Sequence, residues 1–177
     1  MKELVSLVEK KVLQFFQIQQ YNFQMNRYFL LIKFSEIYPI GRIKYAPGTI
    51  ASLFTCLVFF LLNAYFSIFI LFSIFILSFC LSFIAIKIYL EKYGDKDHKS
   101  IVIDEFVGQY LALMIIPLLD LENNFLSISL IFILFRVFDI SKIGLKSMER
   151  LPGAYGILFD DIVAGIYSII ITLLIFL

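Results

Sequence analysis

The chain contains 177 residues, of which 61% are hydrophobic and 16% are charged. Soluble domains contain roughly 45–50% apolar and about 25% charged residues, so this composition excludes a disordered chain and an ordinary soluble globule. A net charge of +1 with a single histidine also excludes a basic protein that binds nucleic acid. The length allows one domain, and the class that remains is a multi-pass membrane protein.

The first 33 residues are predicted to form an amphipathic extension. Val5, Val8 and Val12 recur at helical spacing among Lys, Glu and Gln residues. This pattern is typical of a helix that lies on the membrane surface or on the rest of the fold. We expect residues 34–177 to form a single helical membrane domain.

Long apolar stretches predict the membrane helices. No charged residue lies between Lys44 and Lys87, a stretch longer than the roughly 20 residues of one span. The segment Asn63–Tyr65 in its middle predicts a turn. Continuous apolar runs favour helices, because strands of a barrel would alternate. We therefore expect an all-α, compact multi-pass bundle of about five apolar helices: Thr49–Leu62, Phe66–Ile86, Phe106–Leu119, Phe125–Phe135 and Ile162–Leu177.

The positive charges lie on one side of this bundle. All 15 Lys and Arg residues fall in the N-terminal segment, in Arg42–Lys44, or in the loops Lys87–Glu105 and Arg136–Asp161. By the positive-inside rule that side is cytoplasmic, so we expect the N-terminus inside and the C-terminus outside. The polar groups and glycines share this face, which favours an interfacial enzyme over a transporter with polar groups at the membrane midplane.

Two carboxylates stand four residues before a glycine, Asp104 before Gly108 and Asp161 before Gly165, and each has a second carboxylate beside it, Glu105 and Asp160. An acid and a glycine four residues apart share a helix face, and glycine lets membrane helices approach closely. We therefore expect two helices to pack at the glycines and to bring the four carboxylates together. Oxygen ligands suit Mg²⁺, so all four are candidate metal ligands. The alternative is a structural role at helix N-termini, where the dipole favours acids.

The segment before the first apolar helix suits an anion. Pro47-Gly48-Thr49 forms a turn that leads into that helix, and the N–H groups of a helix N-terminus bind phosphate. A plain helix start with Thr49 as the N-cap is the alternative. These three residues are candidate phosphate ligands.

Three charged residues recur at intervals of three: Arg136, Asp139 and Lys142. They share one face if the helix that starts at Phe125 continues through them. Arg136 and Lys142 are then candidate phosphate ligands, and a surface ladder of ion pairs is the alternative. The single histidine, His98, stands in the polar loop before Asp104, where a solvated role is the alternative to a catalytic one.

Four segments carry a resemblance to a known family. They are Ala46–Thr49, Asp97–Gly108, Phe135–Asp139 and Gly156–Gly165, in order over roughly residues 30–177. They resemble the phosphatidylglycerophosphatase A family. The resemblance implies a compact helical enzyme of the bacterial inner membrane. It also implies Mg²⁺-dependent removal of the terminal phosphate of phosphatidylglycerophosphate, which yields phosphatidylglycerol in phospholipid biosynthesis.

The charges then predict a division of roles. Arg136, Lys142 and the turn at Gly48 are expected to hold the phosphoryl oxygens, with Asp139 orienting Arg136 and His98 protonating the leaving alkoxide. The catalytic set is completed by the four carboxylates Asp104, Glu105, Asp160 and Asp161. No Ser or Cys is an obvious activated nucleophile, so we expect water to attack directly, with a carboxylate nucleophile left open. The alternative function is a non-enzymatic small membrane transporter or structural membrane protein.

Overall fold

The computed structural model describes residues 25–94, 98–142 and 151–176, and every regular element in these ranges is helical. The all-α class is therefore confirmed. Residues 25–35 form α1, and a 3₁₀ turn follows at Ile40–Arg42. The remaining helices are α2 (Pro47–Tyr65), α3 (Ile68–Tyr93), α4 (Ile103–Leu113), α5 (Ile115–Leu118), α6 (Phe125–Ser141) and α7 (Ala154–Phe176). Most of the expected amphipathic extension, residues 1–24, lies outside the described ranges, and the domain boundary at residue 33 stays a prediction.

Three helices of the described part, α2, α3 and α7, are long and apolar enough to cross a membrane. The expected count of five spans is not confirmed by this criterion. The expected helix Phe106–Leu119 is instead divided into α4 and α5 at Met114. Pro117 accounts for the break, because it has no N–H for the carbonyl of Leu113 and its ring collides with that carbonyl.

The hairpin between α2 and α3 turns later than expected. The predicted turn at Asn63–Tyr65 is wrong, since α2 continues to Tyr65 and the chain becomes extended at Phe66. Neither Gly nor Pro interrupts this segment, so nothing in it opposes the helix. The α3 helix also passes the expected end at Ile86 and stops at Gly94, whose φ of +101° suits glycine alone.

The two helices that carry most of the charged candidates are longer than their apolar cores. The α6 helix extends to Ser141, so that Arg136 and Asp139 lie in its last turns. The α7 helix begins at Ala154, so that Asp160 and Asp161 lie inside it. Apolarity marks the part of a helix that contacts lipid or core, whereas backbone hydrogen bonds continue into polar residues. The helix ends expected from the sequence, Phe135 for α6 and Ile162 for α7, therefore lie inside the observed helices.

The short helix α4 is the centre of the bundle and contacts α2, α3, α6 and α7. Val107, Tyr110 and Leu113 in α4 have no exposed surface, whereas Phe69 and Leu77 in α3 are 81% and 62% exposed. Large apolar side chains on the outside and a tightly enclosed central helix are what a lipid environment requires. The first turn of α4, which contains Asp104 and Glu105, is therefore surrounded by the other helices.

Candidate active site

Close helix packing brings α4 and α7 together at the predicted glycines. A Cβ atom at Gly108 would lie 2.6 Å from the carbonyl oxygen of Asp161, and one at Gly165 would lie 2.6 Å from the carbonyl oxygen of Gly108. The predicted contact of the two Asp-x-x-x-Gly segments is thus confirmed. It places the first turn of α4 beside the second turn of α7, where the acids stand.

Three carboxylates converge at this point. Oxygen atoms of Asp104, Glu105 and Asp161 all lie within 4.8 Å of one another. Asp104 and Asp161 are buried, with 7% and 4% of their surfaces exposed. Glu105 is partly exposed, but its Oε2 atom is buried and has no hydrogen-bond partner among the described residues.

The electrostatics of this carboxylate triad favour a cation. Burial, and then the charge of Asp104, raise the pKa of Glu105 well above its ordinary value. Like charges about 4 Å apart repel by about 4 kcal/mol near a protein surface, so three carboxylates do not ionise together without compensation. An oxygen-only donor set of this kind, largely shielded from solvent, fits a hard divalent ion such as Mg²⁺. In the described part of the chain, these three residues are the group whose ligand atoms lie close enough together to hold a metal ion.

The fourth predicted carboxylate does not join the triad. Asp160 forms an ion pair with Lys142, whose Nζ lies 3.1 Å from Oδ2 of Asp160. Neighbouring residues on a helix point about 100° apart, so Asp160 and Asp161 cannot both face the same point on α4. Asp160 still lines the same cavity as the triad.

Two of the three residues expected on one face of α6, Arg136 and Asp139, pair as the spacing predicts, whereas Lys142 is the C-cap beyond the helix end and pairs with Asp160. Arg136 Nη1 lies 2.6 Å from Asp139 Oδ2, and each side chain is 14% exposed. The same nitrogen donates to the Ser52 hydroxyl of α2 at 3.3 Å. Arg136 Nε is buried without a hydrogen-bond partner in the described ranges. The guanidinium is therefore held in place by two contacts and keeps a donor available.

The start of α2 packs against the carboxylate of Glu105, one member of the triad. The helix begins at Pro47 after Ala46, which has a left-handed φ of 46°. Thr49 therefore lies inside the first turn, and the alternative in which it is the N-cap is wrong. A Cβ at Gly48 would lie 2.8 Å from Glu105 Cδ, so only glycine lets this carboxylate reach the helix start, where the dipole favours negative charge.

A cavity of about 630 Å³ joins these groups. Apart from His98, it is lined by every predicted site residue: Pro47, Gly48, Thr49, Asp104, Glu105, Arg136, Asp139, Lys142, Asp160 and Asp161. His98 packs instead against the rings of Tyr89 and Tyr93, with centroids 5.5 and 6.4 Å away. The geometry therefore gives no support to His98 as the acid that protonates the leaving group.

Two cationic residues of the cavity were missed as site residues. Lys44 and Lys99 line it together with the predicted set. Both stand in the basic segments that sequence reasoning used only for membrane orientation. Their proximity depends on how the loop before α4 packs, which local spacing does not encode.

Comparison with known proteins adds relatives that are similar over part of the chain. Phosphatidylglycerophosphatase A of Haemophilus influenzae is 42% identical over 80 residues, which are 44% of this chain and 47% of the relative. Phosphatidylglycerophosphatase A of Escherichia coli is 39% identical over 77 residues, 42% of each chain. A Bacteroides thetaiotaomicron protein named "Putative phosphatidylinositol-3-phosphatase" is 37% identical over 83 residues, 46% of this chain and 51% of the relative.

These matches are partial, whereas the family match is broad. The chain spans about half the length of the curated relatives that it matches. No solved structure matches it. The family model described as Phosphatidylglycerophosphatase A matches residues 33–176, which include every residue of the cavity. The chain belongs to the phosphatidylglycerophosphatase A family.

Proposed function

We propose that this protein is a membrane lipid phosphatase that hydrolyses phosphatidylglycerophosphate to phosphatidylglycerol and phosphate. The observation that carries the proposal is the triad of Asp104, Glu105 and Asp161, two of them buried, in one cavity with the Arg136–Asp139 pair. Phosphoryl transfer depends mostly on positioning and on charge stabilisation, and this cavity contains both acidic and basic groups for that purpose. Family membership and the names of two relatives support the choice of lipid.

The triad provides the ligands for Mg²⁺, the proposed cofactor. When bound, this ion would offset the carboxylate charges and lower the pKa of a coordinated water. The buried, unpartnered Oε2 atom of Glu105 fits a metal ligand, because a buried oxygen without a partner is costly. The first turn of α2, at Gly48, holds Glu105 in this position.

The basic groups of the cavity hold the phosphate. Arg136 offers its buried Nε to a phosphoryl oxygen, while Asp139 and Ser52 fix the guanidinium plane. Lys142, anchored by Asp160, supplies a second positive charge at the cavity wall. Charge-assisted hydrogen bonds to phosphate are the stronger class, and a planar guanidinium suits two oxygens at once.

A second lipid monoester is the runner-up substrate. The relative from B. thetaiotaomicron is named for a phosphoinositide, whose headgroup also carries a phosphate monoester. The triad and Arg136 recognise the phosphate itself, so the choice between glycerol and inositol headgroups depends on the rest of the cavity. The alternative of a transporter or structural protein has no comparable observation in its favour.

We propose a five-pass arrangement in the bacterial inner membrane with the cavity on the cytoplasmic side. Asn123 Nδ2 donates to the Phe60 carbonyl oxygen at 3.1 Å, so the start of α6 lies near the far end of α2. The α4–α5 segment therefore descends through the bundle and α6 returns, although both are short. The cavity contains Lys44, Lys99 and Arg136, which the positive-inside rule assigns to the cytoplasm.

The test is phosphate release from phosphatidylglycerophosphate by the purified protein in detergent micelles, with Mg²⁺ and with EDTA. Asp104→Asn, Glu105→Gln and Asp161→Asn should each lower kcat by about 100-fold or more, as expected for loss of a key electrostatic group. Asp120→Asn is the matched control, because Asp120 is exposed in the loop before α6 and does not line the cavity. Release that is independent of Mg²⁺ and unaffected by all three substitutions would contradict the proposal.

A further inference from the structure

Two lysines of the cavity have no role in the proposed chemistry. Lys44 and Lys99 line the cavity and are exposed. Among the described residues neither forms an ion pair with an acid, whereas Arg136 and Lys142 are paired with Asp139 and Asp160. Lys44 lies over the ring of Tyr45 at 5.3 Å, a contact that leaves its ammonium group accessible. Their charges are therefore available to a ligand.

The backbone that carries these lysines is fixed as one wall of the cavity. Gly41 packs against the carbonyl oxygen of Ser100, next to Lys99, and its N–H donates to the Glu36 carbonyl oxygen at 2.7 Å. The Val102 N–H donates to the Ser35 carbonyl oxygen at 3.0 Å, which joins the same two segments. This packing holds the approach to α2 and the loop before α4 together, and each contributes one lysine.

The charges of the cavity divide into three groups. Among the described residues, the triad provides carboxylate oxygens for a divalent ion, and Arg136 and Lys142 form ion pairs with Asp139 and Asp160. Lys44 and Lys99 line the same cavity and form no ion pair with an acid among the described residues. A phosphate monoester held by the triad's metal ion and Arg136 does not account for them. A second anionic group on the same ligand does.

We infer that Lys44 and Lys99 form a second anion subsite, which binds the phosphodiester that links the headgroup to the diacylglycerol. The inference rests on the proposed function, because it requires a lipid with a terminal monoester and an internal diester. The two lysines would then select for lipids that contain this phosphodiester. A lipid whose phosphate monoester is attached directly to diacylglycerol has no phosphodiester for them to bind. A phosphoinositide has both groups, so the lysines do not distinguish it from phosphatidylglycerophosphate.

Binding in EDTA tests the subsite without turnover. The full-length protein in neutral detergent micelles is titrated with phosphatidylglycerophosphate and, separately, with phosphatidate, and affinities are measured calorimetrically. Lys44→Met and Lys99→Met should each weaken phosphatidylglycerophosphate binding about fivefold, as for an exposed ion pair of about 1 kcal/mol. The affinity of the double variant for phosphatidylglycerophosphate should fall by about 25-fold if the two effects on the binding free energy add. Phosphatidate affinity should stay unchanged, and Lys→Arg should restore binding.

Lys92→Met is the matched control, because Lys92 is exposed at the end of α3 and does not line the cavity. It should leave both affinities unchanged. Equal weakening of both lipids, or weakening by Lys92→Met as well, would overturn the subsite and indicate general attraction to anionic surfaces. Unchanged binding in the double variant would also overturn it. Turnover is measured separately, so failure of the phosphatase activity remains distinguishable from failure of the subsite.

Discussion

Gly108→Ala tests whether the contact between α4 and α7 sets the position of the carboxylates. A Cβ atom at residue 108 would lie 2.8 Å from the Cβ of Asp161 and 2.6 Å from its carbonyl oxygen. Carbon atoms in contact prefer about 3.5–4.0 Å, so the two helices must separate by about 1 Å at this point. Rotation of a side chain cannot relieve the clash, because the neighbours belong to the backbone and to Cβ.

Gly108→Ala is expected to lower both the rate and the stability while leaving the protein folded. Misplacement of a catalytic group by about 1 Å costs about 100-fold in rate, so kcat for phosphate release should fall by about that factor. Overpacking by one methyl group decreases the free energy of unfolding by about 1–3 kcal/mol. Circular dichroism during heating in detergent should therefore show a folded helical protein with a lowered unfolding midpoint.

Gly165→Ala provides the comparison. Its Cβ would lie 2.6 Å from the Gly108 carbonyl oxygen, so it strains the same helix contact one turn further from the acids. We expect a similar loss of stability and a smaller loss of kcat. If Gly108→Ala kept kcat within about threefold, against the roughly 100-fold expected, helix spacing would not control the triad.

Three further outcomes are expected. Arg136→Lys should lower kcat/KM for phosphate release by about 10-fold or more, because lysine lacks the planar fork that contacts Asp139 and phosphate together, and unchanged kcat/KM would refute this. Gly48→Ala should reduce turnover with little change in the unfolding midpoint, because its methyl group meets the flexible carboxylate of Glu105, and a large loss of stability would contradict that account. In a cysteine-free background, a cysteine replacing Lys92 should resist a membrane-impermeant thiol reagent in intact cells, whereas one replacing Asp120 should react; the reverse pattern would invert the topology.

Sequence spacing was most informative where local helix geometry fixes the answer. An acid and a glycine four residues apart must share a face in any helix, so the contact between Gly108 and Gly165 could be predicted before the fold was known. The same reasoning placed Arg136 and Asp139 together once α6 extended far enough. These predictions depend on one helix at a time and on the close approach that glycine allows.

Spacing was less informative where tertiary packing decides. The sequence made both Asp160 and Asp161 candidate metal ligands, but in α7 Asp161 belongs to the triad whereas Asp160 pairs with Lys142. His98 stands close to Asp104 in sequence, yet its ring packs with Tyr89. Lys99, its neighbour, reaches the cavity instead. Which of these two residues reaches the cavity depends on how the loop before α4 packs against α3. Residue spacing within one helix does not encode that packing.

The arrangement of the triad has a simple physical origin. Glu105 lies against Gly48 of α2, and Asp161 lies against Gly108 of α4, so two of the three acids are each seated on a glycine of a neighbouring helix. Hydrogen bonds therefore do not have to hold these carboxylates at their close spacing, because helix packing does so. Packing of the apolar helices opposes the repulsion among the acids. Helix packing therefore fixes the spacing of these acids, and a fixed arrangement of charges is what electrostatic catalysis requires.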